Sequence, residues 1–216
     1  MAYEKTNKPL LDKTLCEMQV CQFSDITDIF ENYHYKKSHM GGGISICFAM
    51  VMNGKLVGGS VLGKPRHESV YKNCIDIRRM ACLDAAPYNS ESWFLGSILK
   101  YLLANTDYEN VLSYSDLTVG HIGTIYKASN FIQAGKTSPS KSIEWKGETY
   151  HVRSLTIDRA YSYEMRKAVE TGEATIHTGE PKIIWKYSLA QRRKRKTPRP
   201  FLLNIYHVGG AQIPLF

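Results

Sequence analysis

Two nine-residue runs, ISICFAMVM (44–52) and KLVGGSVLG (55–63), meet at Asn53-Gly54. That dipeptide between two such runs is the strongest short-range hairpin signal, because both of its residues accept positive φ. The pair commits the chain to a β-sheet before any other segment is considered. After a polar loop, KPRHESVYKN (64–73), the stretch CIDIRRMACLD (74–84) alternates well enough to be a third strand.

The remaining segments supply helices to cover that sheet. DITDIFENYHY (25–35) reads as a helix with Ser24 or Asp25 as N-cap and Ile26, Ile29 and Phe30 on one face, broken by Gly41-Gly42-Gly43. Past an Ala-Ala-Pro turn, Asn89 or Ser90 caps a helix to about Ala104, with an apolar stripe of Phe94, Leu95, Ile98, Leu99, Leu102 and Leu103. NVLSYS (110–115) is a short buried strand, and 120–130 a short helix carrying Ile122, Ile125 and Tyr126. A hairpin over 142–157 turns at Lys146-Gly147, a helix over 158–172 closes at Gly172, and KIIWKYSL (182–189) is a late strand. Residues 1–22 are mixed in character. No repeat is present. The order implies an α/β protein, a mixed sheet with helices packed on it. It resembles the GNAT acyltransferase fold. A single domain over 1–216 is expected, with a catalytic core at 22–157 and a helix, strand and basic C-terminal extension at 158–216.

Composition narrows the class. With 43% hydrophobic and 22% charged residues the chain is neither disordered nor collagen-like. No apolar run approaches ~20 residues, so no membrane span is expected. The opening MAYEKTNKPLLDKT lacks an apolar signal core, so nothing in it marks the chain for secretion and a cytoplasmic location is expected. The five cysteines are odd in number and contain no CxxC pair, as for reduced, core-like thiols.

Charge is distributed unevenly. The formal net charge of +8 lies wholly beyond residue 180, where Lys182, Lys186, Arg192, Arg193, Lys194, Arg195, Lys196 and Arg199 meet no Asp or Glu. A neutral body with a cationic end suits a polyanion, and nucleic acid is the partner expected at Arg192, Arg193, Lys194, Arg195, Lys196 and Arg199. A solvated tail is the plainer reading of such a run.

The block DIRRMACLDAAPYNSESWFLGSILKYL, then SYSDLTVGHIGTIYKASNF, with NYHYKKSH upstream, resembles the Mom family of phage proteins that modify adenine in DNA. The likeness covers roughly residues 31–135, about half the chain. It implies a GNAT-like transferase that adds a carbamoylmethyl-type group to N6 of adenine, in the host cytoplasm, and so protects phage DNA from restriction. Ordinary GNAT enzymes cradle the donor pyrophosphate with a glycine-rich loop. Here the turn Pro87-Tyr88-Asn89-Ser90-Glu91-Ser92-Trp93 has no glycine before Gly96, and Glu91 would repel an anion. The donor is therefore open between acetyl-CoA and a glycine-derived or aminoacyl compound. A conventional N-acetyltransferase acting on an amine, and a non-catalytic basic DNA-binding protein, are the competing functions.

Within the resembling region the residues expected to serve catalysis are His34, Tyr35, Arg79, Asp116 and Tyr126, and those expected to bind donor or substrate are Asn89, Ser90, Ser92, Ser115 and Asn130; the resemblance does not fix their roles one by one. Each has a plainer role beside it. His34 and Tyr35 could be a solvated helix end or an acid/base pair. Adjacent strand residues point to opposite faces, so one of Arg78 and Arg79 faces the core and needs an anion; Asp76 and Asp116 are the candidates, and the resemblance selects Arg79. Ser90 and Ser92 could be caps or donor ligands. Asp116 could cap the next turn or meet the exocyclic amine from the carboxyl end of its strand. Tyr126 could fill the core or protonate a leaving group. His121, His151, Arg153, Trp145, Tyr150 and Trp185 could stack bases or fill the core. A metal ion through His34 and Tyr35 is possible, but no HxH or HxxxH spacing supports it.

Overall fold

The computed structural model describes residues 8–34, 43–65 and 71–195. Ten strands are assigned among them: β1 (Cys16–Cys21), β2 (Ile44–Met52), β3 (Lys55–Gly63), β4 (Cys74–Cys82), β5 (Asn110–Ser115), β6 (Ile132–Lys136), β7 (Lys141–Trp145), β8 (Glu148–His151), β9 (Thr175–Thr178) and β10 (Ile183–Ser188). The α-helices are α1 (Thr27–Tyr33), α2 (Ser90–Asn105), α3 (Thr124–Ala128), α4 (Ser162–Thr171) and α5 (Leu189–Arg195). Seven strands form a sheet in the order β1-β2-β3-β4-β5-β10-β6, and three form a second in the order β8-β7-β9. The mixed sheet with flanking helices agrees with the α/β expectation.

The chain divides into two compact units. The first comprises residues to Tyr114, Gly123–Gln133 and Trp185 onward; the second comprises Ser115–Ile122 and Ala134–Ile184.

The first unit is built on the hairpin. Asn53 and Gly54 both take positive φ (53° and 74°), joining β2 to β3 in antiparallel register from Met52↔Lys55. β1, which the mixed sequence CEMQVC did not announce, adds to the outer edge of β2 along its whole length. Edge pairing needs backbone groups and one apolar face, so it leaves a weak trace in sequence. Ile26, Ile29 and Phe30 pack with Cys47, Ala49, Val51, Leu56, Val61 and Leu83. The helix behind them starts later than expected. Phe23–Ile26 is a 3-10 turn capped by Gln22, whose backbone N–H donates to the Asp25 carboxylate at 2.9 Å, and α1 begins only at Thr27.

α2 follows its stripe: Phe94, Leu95, Ile98, Leu99 and Leu102 are buried, each contributing roughly 1.5–3 kcal/mol. Its far end is closed by a distant side chain. Arg193 of α5 donates from Nη1 to Tyr108 O at 2.8 Å, from Nε to Leu103 O and from Nη2 to Leu102 O at 3.3 Å each, and also from Nη2 to Thr106 O. The start of the basic run is thus helical, where the sequence suggested only a strand leading into it.

Cys21 lies opposite Cys47 across β1 and β2, and both thiols are free. Burial pushes both up, Cys47 to about 11 with help from Asp25, so neither is a thiolate near neutral pH. No described helix is long and apolar enough to cross a membrane.

The second unit has its own small core of Ile143, Trp145, Met165, Ala168 and Ala174, with Tyr150, Leu155, Tyr161 and Val169 against it. The expected hairpin is β7 and β8, paired from Trp145↔Glu148. It ends at His151, where a 3-10 turn takes over, rather than running to 157. α4 occupies the later part of the expected helix and stops at Gly172. β6 and β9 were not anticipated, because their exposed residues carry no apolar alternation.

Candidate active site

Three local groups hold most of the residues singled out in the sequence. The first is a fork in the sheet. β4 and β5 run parallel, but their ladder comprises only Cys74↔Asn110, Ile75↔Val111 and Asp76↔Leu112, although both strands continue. Where it ends, Ser113 Oγ lies 3.5 Å from Ile77 O and 2.7 Å from Tyr126 Oη. Ser113 has one hydroxyl hydrogen for these two oxygens, and either hydroxyl can donate in the Ser113–Tyr126 bond.

Tyr126 is half-buried, stacked on Trp185 at 5.9 Å and edge-on to Phe131 at 5.4 Å. It therefore fills part of the core and also presents a hydroxyl. α3, which carries it, is a single short turn entered at Gly123. That glycine has φ of +79°, and a Cβ there would lie 2.2 Å from Trp185 Cζ2. Asn130, at φ 62°, sits in the turn that ends the helix, its N–H donating to Lys127 O at 3.1 Å.

Across the fork, β4 is not the regular strand its alternation implied. Val61 pairs with Arg79 but Leu62 with Ile77, so Arg78 is an extra residue in a bulge. Simple alternation cannot then assign faces to the two arginines. Arg79 is the buried one, at 9% exposure, and its carbonyl accepts from buried Ser60 at 3.1 Å. Arg78 Nη2 donates to Lys64 O at 2.9 Å. His34 ends α1 and is 9% exposed with its ring edge-on to Phe30, so it is no solvated helix end. Tyr35 lies outside the described residues.

The second group is the start of α2. Asn89 is the N-cap, in the left-handed region at φ 70°, with no side-chain capping bond. Ser90 is fully buried and donates its hydroxyl to Pro87 O at 2.7 Å; Ser92 donates to Asn89 O at 3.1 Å. Neither serine performs the capping expected of it, and Ser90 is turned away from solvent. Tyr88 N–H donates to Pro9 O at 2.9 Å, so an N-terminal segment braces this turn. Asn89 makes the left-handed turn at this helix start without a glycine, and Ser90 N–H is already given to Pro87 O at 3.3 Å. Glu91, in that first turn, works against an anion there.

The third group follows β5. Ser115, 2% exposed, ends the strand, and Asp116 caps a 3-10 turn at Leu117–Val119 with Oδ1 accepting from Thr118 N–H at 3.1 Å. Its Oδ2 lies 2.8 Å from Lys182 Nζ. Burial raises the Asp116 carboxyl, but Lys182 and Thr118 outweigh it and hold the group below the ordinary carboxylate range. The ion pair on Asp116 therefore comes from Lys182, a residue the sequence placed among the tail cations. Spacing gave no signal for it.

Trp145 and Trp185 are buried, at 6% and 2% exposure, and Tyr150 packs on Trp145, so these aromatics serve the two cores. His151 Nδ1 accepts from Arg153 N–H at 3.0 Å. Of the expected DNA contacts, Arg192 and Lys194 are exposed and Arg193 closes α2. Arg195 ends α5, while Lys196 and Arg199 lie outside the described residues. Among the described residues, no cluster of three or more His, Cys, Asp or Glu could hold a metal.

The sequence profile of the Mom protein family matches residues 16–196. Similar solved structures share the fold at low identity. Spermidine N-acetyltransferase SpeG from Vibrio cholerae is 9% identical with a TM-score of 0.53, over 85% of this chain and 99% of that one. A ribosomal-protein alanine acetyltransferase from Vibrio fischeri is 7% identical with a TM-score of 0.51, over 82% and 95%. The yncA protein of Salmonella typhimurium, solved with its cofactor acetyl-CoA, is 10% identical with a TM-score of 0.50, over 81% and 94%. No curated protein matches the sequence significantly.

Proposed function

The chain belongs to the Mom protein family, and on that premise we propose that it is a GNAT-like transferase that adds a carbamoylmethyl-type group to N6 of adenine in double-stranded DNA, shielding the DNA from restriction. The observation that carries this reading is the family match across 16–196, which takes in the fork, the α2 start and the turn after β5 together.

The chemistry asks for specific help. The N6 lone pair is delocalised into the ring, so the amine needs a proton removed as the new bond forms and an electrophile held beside it. Asp116, kept below the ordinary carboxylate range, is a weak base at neutral pH and a good permanent hydrogen-bond acceptor. Its role is to accept a hydrogen bond from the N6 amine, to offset the positive charge that grows on nitrogen and to take the proton that N6 loses as the N–C bond forms. Tyr126 is the candidate to give a proton to the departing group. His34 and Arg79 are the remaining catalytic candidates. A donor, an acyl-CoA or a glycine-derived compound, would be held at the start of α2 by Asn89 and Ser92; N6 would bond to its electrophilic carbon, which for a carbamoylmethyl group is the methylene carbon, as the bond from that carbon to the leaving group breaks. The base leaves the stack to reach the site, at a cost of a few kcal/mol, and exposed cations such as Arg192 and Lys194 grip phosphate.

The test is direct. The protein is expressed in bacteria, the DNA is digested to nucleosides, and deoxyadenosine is examined by mass. A heavier deoxyadenosine that vanishes with Asp116→Asn is expected. Unmodified deoxyadenosine from cells holding folded wild-type protein would refute the proposal.

A further inference from the structure

Asp116 carries more than a helix cap requires. The chain provides its own comparison in Asp12, which caps a 3-10 turn in the same Asp-x-Thr arrangement, accepting from Thr14 N–H at 2.9 Å and Thr14 Oγ1 at 2.6 Å. The effects that lower the Asp12 carboxyl come from Thr14. A cap of this kind therefore forms without a cation. At Asp116 a lysine is added, Nζ to Oδ2 at 2.8 Å, with side-chain exposures of only 30% and 14%.

The lysine is itself fixed. Lys182 N–H donates to Thr137 Oγ1 at 3.0 Å, and Lys182 O accepts from Thr137 N–H at 2.9 Å, so its backbone is clamped from both sides. Gly179, three residues before, donates to Ser140 O at 2.8 Å and has Thr118 Oγ1 within 3.5 Å of its Cβ position. Each Asp116 carboxylate oxygen thus has its own partner, Thr118 for one and Lys182 for the other. The main chain is closed as well, since His121 N–H donates to Asp116 O at 3.0 Å.

We propose that Lys182 is a positioning residue, orienting the Asp116 carboxylate and supplying its counter-charge so that a fixed acceptor meets the substrate amine. The proposal rests on the reading of Asp116 given above. It removes Lys182 from the set of tail cations and ties the loop before β10 to the turn after β5. Lys182 is the charged group acting on Asp116, Thr118 is uncharged, and His121 is the other titratable residue of the turn.

The test compares wild type with Lys182→Met, Lys182→Arg, His121→Gln and Asp116→Asn. The readouts are modified deoxyadenosine in expressing cells, the carboxyl-carbon NMR titration of Asp116 in the isolated protein (assigned by its absence in Asp116→Asn), and the salt dependence of duplex DNA binding. Lys182→Met should move the Asp116 titration to higher pH, because burial then acts with less opposition. It should lower modification on the order of 10²-fold, the loss expected for a misplacement of about 1 Å. Lys182→Arg should restore both, and His121→Gln should leave the titration in place. The salt slope should be the same in all. An unmoved titration in Lys182→Met overturns the proposal, whether or not modification falls. So does a slope lower by about 0.9, which would make Lys182 a phosphate contact. If wild type modifies no adenine the functional reading fails, while the titration still decides whether Lys182 acts on Asp116.

Discussion

Arg193 and Arg192 are adjacent and look equivalent in sequence, yet the structure holds one against α2 and leaves the other exposed, and the difference can be measured. Arg193 is half-buried and donates to four carbonyls at and just past the end of α2, of which Leu102 O also accepts from Thr106 N–H and Oγ1. Arg193→Met keeps the aliphatic stem and removes the charge and the donors. Hydrogen bonds from a charged donor contribute roughly 1.5–3 kcal/mol each, and the helix dipole adds about 0.3–1 kcal/mol. The contacts at 3.3 Å are weaker, and water partly replaces what is lost. A net cost of about 3 kcal/mol follows, or roughly 6–12 °C in melting temperature for a chain of this size. Exposed Arg192→Met should stay within about 0.5 kcal/mol. Thermal and urea denaturation of both variants reads the difference. DNA binding should separate them in the other direction, Arg192→Met reducing the salt slope by about 0.9 if it meets a phosphate and Arg193→Met leaving it unchanged. Equal melting of Arg193→Met and wild type, together with a reduced slope, would refute the cap and return the residue to the DNA surface.

Further outcomes follow from the same geometry. Changing Arg192, Lys194, Arg195 and Lys196 to Ser, with Arg193 kept, should flatten the salt slope by several units without loss of stability; equal slopes would mean the run is only solvated. Gly123→Ala forces a Cβ into Trp185 at positive φ and should cost about 2–4 kcal/mol by urea denaturation; a change under about 0.5 kcal/mol would show that the α3 entry is built differently. Glu91→Gln removes the negative charge from the first turn of α2 and should tighten acetyl-CoA binding about 2–5-fold by calorimetry. Unchanged affinity would move the donor anion away from that helix.

What the sequence determined by itself was whatever depends on neighbours along the chain. The Asn53-Gly54 turn, the apolar stripe of α2 and the Gly172 end of α4 are set by local backbone preferences and by period, and all three stand where the residues put them. The family motif likewise marked a region, because it is a contiguous string. Partners distant in sequence were left to the tertiary structure. β1, β6 and β9 exist because other strands offer them unpaired backbone groups, which no side-chain pattern records. The bulge at Arg78 depends on register against β3, and it changed the meaning of two adjacent arginines. Charge shows the division most clearly. The sequence could count cations after residue 180, but a count carries no direction. Folding places Arg193 on the carbonyls of α2 and Lys182 on Asp116, because a half-buried carboxylate and an open helix end each need a partner within about 3 Å, and only the folded chain brings one that close.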